Sequence, residues 1–224
     1  MKLDVIAVLT KQFARPLRML ATEPIVTCIS FYSAFVYGIL YFPLEVFPLV
    51  FQESRGWNKI IGALPFTVPI ILGQKYYNKR SKAANGQTVP EARLPPMAIG
   101  AVLLVAGLFW LAWTADSPHH WVLPCIASVF VGCGFNIVFL QCVNFLIDVY
   151  KIYAASATAA TTLLRSLMAA GLPLAAKPMV QGVGIGPGVS MIAVVATAPL
   201  PVPFLFIKYG KRIRRLSKLA PDDL

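Results

Sequence analysis

The sequence predicts an all-α membrane protein whose chain crosses the bilayer six times. Of its 224 residues, 58% are hydrophobic and 13% are charged, and the mean hydropathy is +0.70. A typical soluble domain has about 25% charged residues, so this chain carries more apolar surface than one water-soluble core can bury. No stretch of the sequence alternates polar and apolar residues as a half-buried β-strand does. Together these observations exclude an ordinary soluble domain.

Six apolar stretches have roughly the length needed to cross a bilayer, which takes about 20 residues. They cover residues 24–50, 58–76, 96–115, 121–147, 153–179 and 188–207. The first is long enough to span with a tilt, and the third contains no charged residue. The second is the shortest of the six and contains Pro65 and Pro69. These six stretches define a transmembrane bundle over residues 23–208.

The segments on either side of the bundle are basic. Residues 1–22 predict an amphipathic cytoplasmic helix that leads into the first span, because their apolar run of residues 5–9 is too short for a signal peptide. Residues 209–224 form a basic tail directly after the last span, a position typical of contact with anionic lipid. Neither segment predicts nucleic-acid binding.

Loop charges indicate the orientation of the six spans. One side carries sixteen basic residues, whereas the other carries only Arg55 and Lys59. The sixteen are Lys2, Lys11, Arg15, Arg18, Lys75, Lys79, Arg80, Lys82, Arg93, Lys151, Lys208, Lys211, Arg212, Arg214, Arg215 and Lys218. Because Lys and Arg are enriched in cytoplasmic loops, both termini are predicted to be cytoplasmic. We expect a multi-pass protein of the plasma membrane, with the vacuolar membrane left open.

Polar side chains inside the first span mark a candidate site, because each is costly in lipid unless it faces protein or water. Tyr37, Tyr41 and Glu45 are spaced four residues apart and share a helix face. Aromatic rings beside a carboxylate suit an organic cation. The alternatives are that the tyrosines pack or form an interface belt, and that Glu45 extends to the outer surface.

The fourth and fifth spans add further candidates for substrate binding and proton coupling. Asn136, Gln141 and Asn144 would offer neutral hydrogen-bonding groups from the fourth span, and Arg165 and Lys177 fall inside the fifth. By residue count, Lys177 lies at a depth similar to that of Glu45. A Glu45–Lys177 pair would offset the cost of two unpaired charges in low dielectric, and protonation or an arriving cation would break it. The alternative is that both groups point to the outer headgroups.

Signatures of an enzyme are missing from the sequence. It contains no HExxH, no GxSxG and no P-loop, and its four cysteines show no CxxC spacing. The glycine-rich run at residues 182–188 lies between two spans and predicts an outer-loop turn. We therefore expect no catalytic residues, no bound metal and no cofactor.

Several longer strings resemble a transporter family. Residues 23–58 resemble the seventh helix and following loop of fungal major facilitator superfamily transporters, and they read EPIVTCISFYSAFVYGILYFPLEVFPLVFQESRGWN. Within that family the resemblance is to the twelve-span drug:proton antiporters, which include polyamine and multidrug exporters. Further similar strings are ARPLRML at 14–20, PEARLPP at 90–96, NFLIDVYKIYAASATAATTLLRS at 144–166 and PVPFLFIKYGKRIRRLSK at 201–218.

The resemblance implies that the chain is the C-terminal six-helix half of such a transporter. Facilitator halves are three-plus-three inverted repeats that bind substrate between them near the midplane. The implied function is proton-coupled export of small organic, cationic or amphipathic molecules. One half supplies only one wall of the cavity, so a separate N-terminal half or a second copy is the expected partner, beside lipid, substrate and protons. The alternative is a truncated, non-transporting half-transporter or an assembly partner in the membrane.

Overall fold

The computed structural model describes residues 5–48, 50–51, 56, 58, 93–115 and 120–214. In these ranges all regular structure is helical, which confirms the predicted all-α class. The helices are α1 (Val5–Thr22), α2 (Pro24–Pro48), α3 (Leu94–Thr114), α4 (Val122–Tyr150), α5 (Ala154–Val183), α6 (Ile185–Thr197) and α7 (Pro201–Arg214).

Four helical segments in the described part of the chain are long and apolar enough to cross a membrane. They are Pro24–Leu44, Leu94–Thr114, Val122–Gly171 and Ile185–Gly210. The 50-residue segment contains two separate helices, α4 and most of α5. The predicted second span, 58–76, lies outside the described residues except for Asn58. The count of six spans therefore stays a prediction.

The chain reverses direction between α4 and α5. Lys151 has a φ of +36°, which is uncommon for a residue other than glycine, and its backbone N–H donates to the carbonyl of Ile147. A single 3₁₀ turn, Lys151–Tyr153, then leads into α5. Phe139 and Arg165 lie at similar separations before and after this turn, and their side chains are in contact. The two helices are therefore antiparallel.

Helices α3 and α4 approach each other closely because glycines line their interface. A Cβ atom on Gly134 would come within 2.5 Å of the Leu104 backbone nitrogen, and one on Gly107 within 2.8 Å of the Val131 backbone nitrogen. Such contact between helix backbones is typical of membrane helix pairs with small residues at the interface.

Helix α2 lies between α4 and α5. On the α5 side, the hydroxyls of Ser30 and Thr161 are hydrogen-bonded at 2.8 Å, and both residues are buried. On the α4 side, Tyr37 lies against Phe135 and Phe139. Most of α2 is consequently buried, including Val26, Ile29 and Phe42.

The predicted sixth span, 188–207, falls within the apolar helical segment Ile185–Gly210. The chain forms α6 and α7 with a hydrogen-bonded turn at residues 198–200 between them. Pro199 and Pro201 lack the N–H that would continue the helix, and Leu200 donates instead to the carbonyl of Thr197 at 3.1 Å. At its other end α6 begins directly after Gly184, whose φ of +96° suits glycine and makes the turn from α5.

Charged residues in or next to the ends of three helices meet at one end of the bundle. Arg93 Nε lies 3.1 Å from Asp148 Oδ2, and the Tyr150 hydroxyl donates to Glu23 Oε2 at 3.2 Å. This charged end, defined by Arg93, Asp148, Tyr150 and Glu23, brings together the starts of α2 and α3 and the end of α4.

Candidate functional site

Tyr37 is the centre of an aromatic cluster formed by α2 and α4. Its ring centroid lies 5.3 Å from that of Tyr41, 5.8 Å from that of Phe135 and 5.9 Å from that of Phe139. The rings of Phe135 and Phe139 are stacked on each other at 5.8 Å. Spacing of four residues places each pair on one helix face, so the two faces meet ring against ring.

Arg165 of α5 lies over this aromatic cluster. Its guanidinium carbon is 4.7 Å from the Tyr37 ring centroid and 5.1 Å from that of Phe139. Both distances are within the range of a cation–π interaction, in which the negative ring face attracts the positive guanidinium. The structure thus brings together three residues singled out in the sequence, namely Tyr37, Tyr41 and Arg165.

The cluster lies near the middle of α2, α4 and α5. Arg165 is eleven residues beyond the start of α5, and Phe139 is eleven residues before the end of α4. At 1.5 Å per residue both are about 17 Å from the charged end, against a hydrocarbon thickness of about 30 Å. A charge at such depth is costly unless it faces water, protein or a ligand, and it marks a functional site by default.

The guanidinium of Arg165 has no acidic partner among the side chains that the structure describes. The described carboxylates are Glu23 and Asp148, and both are bonded at the charged end. No described oxygen accepts a hydrogen bond from Arg165, and the residue is only half-buried. Its N–H donors therefore remain available on the side away from the rings.

An open groove of about 520 Å³ runs along α5 from the charged end to the depth of Arg165. Three of its lining residues, Thr158, Thr162 and Ser166, form a hydroxyl stripe at intervals of four residues. Each hydroxyl donates to the carbonyl four residues earlier, at 2.9 Å, which leaves oxygen lone pairs facing the groove. The other lining residues are small or apolar, namely Pro16, Ala155, Ala159 and Leu163.

The surface of α3, α6 and α7 is different. Its exposed side chains are large and apolar, as expected for helices in contact with lipid; they include Ile99, Val102, Trp113, Val194, Phe204 and Leu205. The exposed surface of α5 combines the hydroxyl stripe with exposed leucines, namely Leu163, Leu167 and Leu174.

The amides predicted on α4 do not all join the aromatic cluster. Asn136 and Gln141 are buried, and Asn144 is half-buried. Asn136 lies three residues from Phe139 and shares its side of the helix, whereas Gln141 lies two residues from it and points to the opposite side. In the described residues, the Gln141 Oε1 atom has no hydrogen-bond partner.

Glu45 and Lys177 belong to α2 and α5, respectively. Their side chains lie outside the part of the structure that is described, so the predicted Glu45–Lys177 pair stays a prediction.

Two groups of residues near the site were missed in the sequence. Phe135 and Phe139 have the same four-residue spacing as the two tyrosines, but apolar rings in an apolar span give little signal. The hydroxyl stripe of α5 could have been found from its regular spacing. At the charged end, the Arg93–Asp148 ion pair joins residues 55 positions apart, which no local pattern indicates.

Comparison with known proteins places the chain among transporters. An MFS-type transporter of Schizosaccharomyces pombe is 43% identical over 95% of this chain. The efflux pump FUB11 of Gibberella moniliformis is 40% identical over 96% of it, and the major facilitator superfamily multidrug transporter FLU1 of Candida albicans is 38% identical over 98%. No family model and no solved structure matches the chain.

The chain spans about two fifths of the length of these relatives, namely 43%, 38% and 38%. Their identity to nearly the whole chain confirms the resemblance read from the sequence, and their names are those of transporters and efflux pumps rather than enzymes. The chain belongs to the major facilitator superfamily transporters of fungi and matches about two fifths of their length.

Proposed function

We propose that this chain forms one wall of the substrate pathway in a transporter that exports small organic molecules across the membrane. The observation that carries the proposal is the mid-depth Arg165 guanidinium over Tyr37 and Phe139, on the same helix as the hydroxyl-lined groove. Lipid would not favour a cation and a row of hydroxyls on an open helix face, whereas an aqueous pathway would.

The proposed architecture is the C-terminal six-helix half of a twelve-span transporter, arranged as a three-plus-three inverted repeat. Helix α2 starts at the charged end and is 25 residues, or about 38 Å, long. Helix α3 starts at the same charged end, so the end of α2 and the start of α3 lie at opposite ends of the bundle. This arrangement supports one more crossing between them, within which the predicted span 58–76 falls.

The open face of α5 supports a two-body mechanism. Ala155, Ala159 and Thr162 line the groove and are exposed. A second six-helix body, either a separate N-terminal half or a second copy, would cover this face and complete the pathway. Both termini are proposed to be cytoplasmic and the plasma membrane is the proposed location.

Coupling to protons is proposed to involve Glu45 and Lys177. Glu45 is the one acidic residue within the predicted spans. Glu45→Gln in the complete transporter should abolish proton-driven efflux while membrane insertion is kept. Normal efflux by this variant would remove Glu45, and with it the proposed pair, from the mechanism.

The test of function replaces the matching segment of the Candida multidrug transporter with this chain. Efflux of fluorescent organic compounds from cells under a proton gradient is then compared with that of the same transporter lacking the segment. We expect efflux by the chimera and none by the deletion. A chimera that reaches the membrane in normal amount and transports nothing would contradict the proposal and favour a non-transporting role.

The chain by itself should not transport. Purified chain in liposomes with an imposed proton gradient should take up organic probes no faster than empty liposomes, because one body cannot rock against another. Uptake above that of empty liposomes would instead indicate a transporter built from two copies.

A further inference from the structure

We propose that the ligand bound at this wall is an organic anion, a planar aromatic group that carries a carboxylate, and that Arg165 binds the carboxylate. The inference rests on the proposed transport function and specifies the substrate class of the same site. It differs from the organic cation that the tyrosines and Glu45 suggested in the sequence.

The ring faces that would attract a cation already carry one. Arg165 lies 4.7 Å from the Tyr37 centroid and 5.1 Å from the Phe139 centroid. A cationic ligand approaching these faces would meet the guanidinium at close range, and like charges repel each other. The aromatic cluster therefore positions a positive group of the protein and does not leave its faces for a positive ligand.

The guanidinium is free to bind on its other side. It is planar and has five N–H donors in a fixed fork that matches a carboxylate in a two-point hydrogen bond. Among the described residues, no oxygen accepts from it. The rings of Tyr37 and Phe139 hold it in one orientation, which reduces the entropy lost when a ligand binds.

The acidic side chains that the structure describes give no competition at this depth. Glu23 and Asp148 are bonded about 17 Å away, at the charged end. Glu45 lies eight residues beyond Tyr37 on α2, or about 12 Å along the helix axis. The remaining acids fall outside the predicted spans: Asp4, Glu53, Glu91, Asp116, Asp222 and Asp223.

The surroundings of Arg165 suit an aromatic ligand of moderate size. Tyr41 and Phe135 extend the ring surface on either side of Tyr37.

The experiment measures binding to the purified full-length chain in lipid nanodiscs by calorimetry. The three probes have the same ring system and differ in charge: 1-naphthoate, 1-naphthamide and 1-naphthylmethylammonium. We expect 1-naphthoate to bind at least tenfold more tightly than the amide, and the ammonium compound to bind most weakly. Tighter binding of the ammonium compound, equal binding of all three, or no binding of 1-naphthoate would overturn the proposal.

Variants test whether Arg165 causes the preference for 1-naphthoate. Arg165→Gln should remove the preference for 1-naphthoate, whereas Arg165→Lys should retain part of it, because the charge stays and the planar fork is lost. Arg18→Gln, which removes an exposed arginine of α1, should leave the preference unchanged. If Glu45 were the partner of Arg165, Glu45→Gln would create 1-naphthoate binding that the native chain lacks, and this result would overturn the proposal.

Binding and transport can fail separately. Arg165-dependent binding of 1-naphthoate with no efflux by the chimera would refute the transport function and keep the anion site. Efflux of organic cations by the chimera, with no binding of 1-naphthoate, would keep the transport function and refute the anion site.

Discussion

The guanidinium of Arg165 lies 4.7 Å from the centre of the Tyr37 ring, which joins α5 to α2 halfway through the bundle. Tyr37 in turn contacts Phe135 and Phe139 of α4. Three helices are thus connected through one tyrosine ring. This arrangement serves two purposes at once, because the ring packs the helices together and also holds the Arg165 guanidinium in place.

Replacing the Tyr37 ring should therefore destabilise the bundle. Tyr37→Leu removes a cation–π contact worth about 0.5–2 kcal/mol and ring pairs worth about 0.5–1.5 kcal/mol. We expect the free energy of unfolding to fall by about 1 kcal/mol or more. Tyr37→Phe keeps the ring and is the matched control. Equal stability of the two variants in detergent would show that the ring contacts contribute nothing.

The glycine contact between α3 and α4 predicts a steric effect. Gly134→Ala would place a methyl group 2.5 Å from the Leu104 backbone nitrogen, and overpacking of this kind typically costs about 1–3 kcal/mol. Gly171→Ala is the control, because nothing lies within 4 Å of its Cβ position and alanine is favoured over glycine in a helix by about 0.5–1 kcal/mol. Relative to the native chain, Gly134→Ala should unfold at a lower temperature and Gly171→Ala at a higher temperature. A neutral Gly134→Ala would contradict the close approach of the helices.

The Arg93–Asp148 ion pair should show energetic coupling between α3 and α4. Arg93→Gln and Asp148→Asn each leave a partly buried charge without this partner; the side chains are 23% and 12% exposed. A double-mutant cycle should give a coupling free energy of about 1 kcal/mol or more, within the range for residues in contact. The same cycle with Arg18→Gln in place of Arg93→Gln should give additive effects. Additivity for the Arg93 cycle would mean that the pair is not formed in the membrane.

The proposed topology can be tested by chemical labelling. In a chain whose four native cysteines are replaced by alanine, a cysteine introduced at Ser117 should react with an impermeant thiol reagent in intact cells. A cysteine at Ser81 should react only after the membrane is opened, because the loop between the second and third spans is predicted to be cytoplasmic. The reverse labelling pattern would contradict the orientation.

The helical class could be predicted from the composition and the long apolar stretches. The family could be predicted from several contiguous strings of residues. The same sequence placed Tyr37 and Tyr41 on one face, since four-residue spacing determines that geometry within a helix. It could not place Arg165 on Tyr37 or Arg93 beside Asp148. Those contacts join helices distant in sequence and depend on how the helices pack. The turn at residues 198–200 falls at Pro199 and Pro201, which lack the N–H that a continuous helix needs.

The central claim is that the Arg165 wall faces the path of the transported molecule. It is tested most directly by efflux from cells that express the chimera described above with Arg165→Gln, compared with the chimera carrying Arg18→Gln. At equal amounts in the membrane, we expect Arg165→Gln to lose at least about nine tenths of its efflux, equivalent to about 1.4 kcal/mol, and Arg18→Gln to keep it. Undiminished efflux by the Arg165→Gln chimera would contradict the account.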